Sequence, residues 1–129
     1  MKYSLLIGRI LFSLIFILSG PHHFQAASIG YAASAGVPMA SFLVPLSGII
    51  ALAGGLSIAL GYKAKIGAWL LVVFLIPVTF ALHKFWGIAD PMMQQMQMVM
   101  FMKNITMIGG ALILAYFGSG PLSIDHKSA

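Results

Sequence analysis

Cysteine and glutamate are both absent from this chain, and aspartate occurs only as Asp90 and Asp125. The missing thiols exclude disulfide exchange, a thiolate nucleophile, an iron–sulfur cluster and c-type haem attachment, so any redox role needs a bound cofactor or a partner subunit. Two isolated carboxylates give no basis for paired acid–base chemistry, and neither a Ser-His-Asp set nor a phosphate-cradling glycine-rich loop is present. Asp125-His126 falls in a short polar tail that is expected to be flexible, where adjacency alone implies no site. Charge is scarce altogether: 7% of the 129 residues are charged and 60% are hydrophobic. That balance excludes a soluble domain, whose surface would lack polar cover, and leaves a polytopic membrane protein. The net charge of +5 does not point to nucleic acid either. Lys2, Arg9, Lys63, Lys65, Lys84, Lys103 and Lys127 stand singly or in one close pair rather than as a stripe, and read as topology signals.

What the chain has in abundance is long apolar runs. Residues 40–60 and 66–82 flank the basic turn Gly61-Tyr62-Lys63-Ala64-Lys65, and each is long enough to cross about 30 Å of hydrocarbon as a helix. Short lysine-rich loops stay on the cytoplasmic side, so this hairpin is expected with its turn in the cytoplasm. The expected spans are residues 3–20, 40–61, 64–82 and 97–117, forming one integral membrane domain over 1–129 with both termini cytoplasmic.

Taken in order, the first run has features of a secretory signal, with Lys2 ahead of it and Ala26-Ala27-Ser28 as a small-residue site. Arg9 interrupts it and three more spans follow, so it is read as an uncleaved span. Some two turns inside the cytoplasmic end, Arg9 is expected to snorkel back to the headgroups. Ser19-Gly20-Pro21 reads as a stop and restart, with Gly36 and Pro38 closing a short uncharged helix at the periplasmic face. Ser47, Ala51, Gly55 and Ala59 recur every four residues, a small-residue stripe expected to be the central helix-packing face. Pro77 should kink the third span by freeing the carbonyl of Val73. Asp90-Pro91 reads as a cap and first turn, and Gly118, Gly120 and Pro121 end the last span. The fold class is therefore all-α: a transmembrane four-helix bundle with a short extra periplasmic or interfacial helix between spans one and two.

One set of residues ties these pieces together: Arg9; Ser19-Gly20; Gly36-Val37-Pro38; Gly54-Gly55-Leu56 through Leu60-Gly61-Tyr62; His83 with Phe85-Trp86; Lys103-Asn104 through Gly109-Gly110-Ala111; and Gly118-Ser119-Gly120-Pro121-Leu122-Ser123-Ile124-Asp125. In that order they make the chain resemble the DoxX family of small bacterial and archaeal four-span membrane proteins. One departure matters. The family often carries a glutamate three residues before the Gly-Gly pair, where this chain has Ala51, so the resemblance leaves Arg9 without an acidic partner. The family takes its name from a subunit associated with thiosulfate:quinone oxidation, and some relatives look like membrane anchors for oxidoreductase complexes. The resemblance thus implies a non-catalytic subunit or anchor in a bacterial or archaeal cytoplasmic (inner) membrane, serving a quinone-linked redox assembly. Its candidate cofactor is a quinone and its candidate partner another subunit. The glycine-rich face and thin spans suit a homo-oligomer as well.

Against this apolar background His22, His23, His83, Trp86, Lys103 and Asn104 stand out. The expected topology puts all of them toward the periplasmic side, and ionisable groups within spans are costly to bury. They suggest a polar, periplasm-facing pocket, open to the periplasm or the outer leaflet, for an anion or a quinone headgroup, which makes small-molecule, lipid, quinone or ion binding or transport the alternative function. The competing reading has the histidines and Trp86 at the interface and Lys103 snorkelling outward. Met93, Met96, Met100 and Met107 share a helical face in a run that also holds Met92, Met98 and Met102. Thioethers suit Cu(I), but methionine more often serves as flexible apolar filler, and no metal site is assigned.

Overall fold

The computed structural model describes residues 2–128; the side chains of Lys2 and Lys127, both read as topology signals, lie outside what is described. Among the described residues every regular element is helical: α1 (Lys2–Ser19), a 3-10 segment (Gly20–Phe24), α2 (Ala26–Ser34), α3 (Ala40–Leu60), α4 (Ala64–Leu82), α5 (Pro91–Phe117) and α6 (Ile124–Ser128). Four helical runs are long and apolar enough to cross a membrane: Tyr3–Phe24, α3, α4 and α5. The protein is an all-α, multi-pass membrane bundle.

Polarity runs inside out, as hydrocarbon solvent demands. In α1 the buried side chains are Arg9, Ser13 and Phe16, and Gly20 continues the same helical face, whereas Ile7, Ile10, Leu11, Leu14 and Leu18 are exposed. With lipid tails as apolar as leucine, burying leucine gains little, and close backbone packing has to hold the helices together. Helix α3 does this on two sides. Gly55 lies against Ser13 and Phe16 of α1, and Gly54 lies against Leu71 and Gly67 of α4. Ala51, fully buried, joins Phe16, Ile58, Ala64, Ala68, Leu71 and Leu75 in the core, and Met107, Ile108 and Leu114 of α5 pack on that cluster. Of the expected packing stripe, Ala51 and Gly55 are buried, while Ser47 and Ala59 are half-buried. Helix α5 packs mainly on α4, and it meets α1 where Gly110 faces the ring of Phe12.

The connections follow local chemistry. Gly61 takes φ +69° after α3, and the Tyr62 and Gly61 amides donate to the carbonyls of Ser57 and Ile58, closing a Schellman turn. Asp90 caps α5 by accepting from the Met92 amide, with Pro91 in the first turn. Helix α5 therefore starts at Pro91, where the expected span starts at Gln97. The difference has a simple origin: 27 residues make a helix of ~40 Å, longer than the hydrocarbon. Gln97 hydrogen-bonds to His83 just past the end of α4, so the turns before Gln97 project beyond the neighbouring helix. The short element after Pro21 is likewise two pieces, a 3-10 turn followed by α2, with the backbone extended at Gln25 between them.

Candidate functional site

At the end of the bundle that carries His22, His23 and His83, α2, α3 and α4 enclose a cavity of about 620 Å³. Its walls are almost wholly apolar, built from Ala32, Val44, Ile50, Phe74, Pro77 and Val78 among others, with His23, Ser28, Tyr31 and Ser47 as the polar exceptions. Leu43, Leu46 and Val73 also line it and are exposed, so it opens sideways toward hydrocarbon. Two backbone features adjoin the space. Gly48 has no Cβ, which lets the Gly20 carbonyl and His23 Cβ approach α3; a methyl at Gly48 would come within 2.7 and 2.8 Å of them. Pro77 has no N–H for the carbonyl of Val73, and both residues belong to the wall.

His23 is fixed at the floor. Its Nδ1 lies 2.8 Å from Ser47 Oγ, and its ring stacks obliquely on Phe74 at 5.7 Å. Ser47 donates its hydroxyl proton to the Val44 carbonyl at 2.6 Å, so in the His23–Ser47 bond the imidazole is the donor. Nε2 of the neutral ring is then an acceptor. Nearer the rim, Tyr31 donates to the Leu82 carbonyl and accepts from Gln97, which also contacts His83 Nδ1 at 3.0 Å. This chain of polar contacts ties α2 to the end of α4 and to α5.

The six sequence-derived candidates do not converge on one pocket. Only His23 lines the cavity. His22 is exposed and bonds back to the Leu18 carbonyl. His83 belongs to the Gln97 contact at the rim, and Trp86 stacks edge-on with Phe85 and Phe101, which also meets Phe80. Lys103 is exposed, with Nζ 3.5 Å from Met100 Sδ, one turn toward the helix start. That is the direction of snorkelling toward the nearer membrane face. Asn104, the next residue of α5, is buried. Of the methionines sharing a face, Met93, Met96 and Met100 are exposed, while Met107 packs on the core. The cavity residues that sequence reasoning missed, Val44, Phe74 and Val78, carry no polar signal. Pro77, His23 and Ser47 are the wall residues that the sequence does single out.

The opposite end holds a second built structure, and here two expectations are corrected. Arg9 does not snorkel: it is 1% exposed, and its guanidinium donates to the carbonyls of Ser119 at 2.7 Å and Leu122 at 2.6 Å. Nor is the Asp125 segment a loose tail. The Asp125 carboxylate accepts from the Lys63 and Ala64 amides at 2.8 and 3.3 Å and from the Ser119 hydroxyl, and its own amide donates to the Gly61 carbonyl at 2.8 Å. Residues 118–126 thus fold back under the bundle and cap the N-terminus of α4, where a carboxylate is favoured. The Lys63 amide first, then the Ser119 hydroxyl, hold the Asp125 carboxyl below its ordinary titration range. Asp125, absent from any sequence-level pairing, also supplies negative charge close enough to act on Arg9. Carbonyls and a carboxylate from the other end of the chain thus surround Arg9.

Comparison with known proteins matches the DoxX family over residues 4–84. The inner membrane protein YqjF of Escherichia coli is 32% identical over 125 residues, covering 95% of this chain and 90% of that protein. The inner membrane protein YphA of the same organism is 28% identical over 125 residues, covering 95% and 89%. The Surfeit locus protein 4 homolog of Schizosaccharomyces pombe is 29% identical over 126 residues, covering 97% of this chain but 37% of the yeast protein. No solved structure matches. With the family matched over more than half its length, and bacterial inner-membrane relatives aligned end to end, this four-span bundle belongs to the DoxX family.

Proposed function

We propose that the protein is a non-catalytic binding component of the inner membrane, taking a small apolar molecule from the bilayer into the cavity between α2, α3 and α4. The observation that supports this reading is the cavity itself. A space of about 620 Å³ with apolar walls and few fixed polar groups matches the usual build of a small-molecule site, whose volumes run from about 300 to 1,000 Å³. The proposed orientation follows from Lys63 and Lys65 at one end: with that end in the cytoplasm, the cavity lies in the outer half of the membrane. The proposed site is apolar and entered from the side, where the sequence reading expects a polar pocket open to the periplasm or the outer leaflet.

The partner-subunit reading, an anchor for a quinone-linked redox assembly, draws on family resemblance, and one preparation separates the two. Protein purified in mild detergent should carry about one equivalent of an extractable apolar molecule per chain, and Ala81→Trp, which fills the wall, should lose it while keeping its elution profile. No molecule above a detergent blank, or equal amounts in both proteins, overturns the binding reading. A stoichiometric redox protein in the same eluate would favour the anchor.

A further inference from the structure

We infer that the cavity selects a neutral single-chain molecule with a hydroxyl group, a long-chain alcohol or a phenol, and that the hydroxyl donates to Nε2 of His23. The inference rests on the cavity being a binding site and assigns the chemistry of its ligand.

Three observations carry it. The first is the direction of the hydrogen bonds at the floor. Since the Ser47 hydroxyl gives its proton to Val44, His23 must use Nδ1–H toward Ser47, and the neutral imidazole offers only a lone pair at Nε2. Pro77 leaves the Val73 carbonyl without its helical donor, so this wall too has acceptor capacity to spare. Such a floor welcomes an O–H. An ether or ester oxygen would meet a lone pair.

The second is depth. Ser47 lies seven residues into α3 and Phe74 eight residues before the end of α4, which puts the floor ~10 Å below the helix ends. A carboxylate, phosphate or ammonium there would be buried with no opposite charge, since no charged residue lines the cavity. A lone hydroxyl is far less costly to desolvate, and His23 repays that cost. Phospholipids and fatty-acid anions, whose heads must stay at the interface, are disfavoured by the same reasoning.

The third is size. A space of about 620 Å³ lies within the range of small-molecule sites and has room for one such chain with its head. Ser28 can donate or accept and so does not set the selectivity, and the Tyr31 hydroxyl is already engaged.

The test uses the full chain in lipid nanodiscs and a hexadecanol bearing a photoreactive diazirine in its chain. After illumination, mass spectrometry should place the label on peptides from residues 27–50 and 73–82. Unlabelled hexadecanol should compete roughly three- to tenfold better than hexadecyl methyl ether, the range expected for one net hydrogen bond, and palmitate should compete least. His23→Leu should still be labelled but should treat alcohol and ether alike; if that variant does not fold, the wild-type comparison decides alone. Equal competition by alcohol and ether in the wild type, or stronger competition by palmitate, overturns the ligand assignment while leaving the cavity as a site. Absence of label from those peptides overturns the cavity reading itself.

Discussion

A guanidinium 1% exposed inside an apolar bundle is tolerated only because its protons have somewhere to go. Two of the partners of Arg9 are backbone carbonyls of residues more than 100 positions away in the chain. Arg9→Met should therefore cost about 2–4 kcal/mol, because it strands carbonyls as well as removing a charge. The check is thermal unfolding in detergent together with proteolysis after residue 118, which should become fast. Gly61→Ala should loosen the same dock: its methyl would collide with Ser123 and the Arg9 guanidinium, at a residue whose φ is already +69°. Acid should act on it as well. The folded-state value of Asp125 is depressed, so its contribution is present above the ordinary carboxylate value of about 3.9 and is lost as pH falls through the lower folded value. The acid limb of the melting temperature should fall further for wild type than for Asp125→Asn, and identical limbs would discount the carboxylate. At this scale the sequence showed which residues were unusual but not what they touched. Arg9 and Asp125 each looked alone because sequence spacing says nothing about contacts across the whole chain.

Helices here are held by what their side chains omit. Gly54 has the Leu71 side chain 2.8 Å from where a Cβ would be, and the Gly67 carbonyl 3.0 Å from it, whereas Gly109 has nothing within 4 Å. Gly54→Val should separate α3 from α4 and lower the melting temperature sharply, while Gly109→Ala should be neutral or stabilising by up to about 1 kcal/mol through helix propensity. Parallel thermal scans of the two variants make the comparison, and equal effects would argue against close backbone packing as the source of stability. The small-residue stripe was legible from its four-residue period. The period did not reveal that Gly48, beside the stripe, brings the 3-10 segment and His23 against α3. Nor did it show where α5 begins relative to its neighbours, since a polar cap and a proline start a helix equally well inside or outside hydrocarbon.

For the molecule as a whole, the absence of cysteine gives a clean background for mapping orientation. Tyr62→Cys and Gln95→Cys both place a thiol at an exposed position, one at each end of the bundle. In intact cells an impermeant maleimide should modify the cysteine at 95 and spare the one at 62 until the membrane is opened; the reverse pattern would invert the proposed orientation and move the cavity to the inner half. The number of long apolar helices and the all-helical class follow from the sequence by itself, because runs of about 20 apolar residues with so few charges have one stable solvent and one stable backbone form within it. The cavity, the acceptor at its floor and the tail locked beneath the bundle were settled only in three dimensions. Each of them depends on groups from distant parts of the chain meeting at hydrogen-bond or van der Waals range, and apolar wall residues look the same in sequence whether they face lipid, core or an open space.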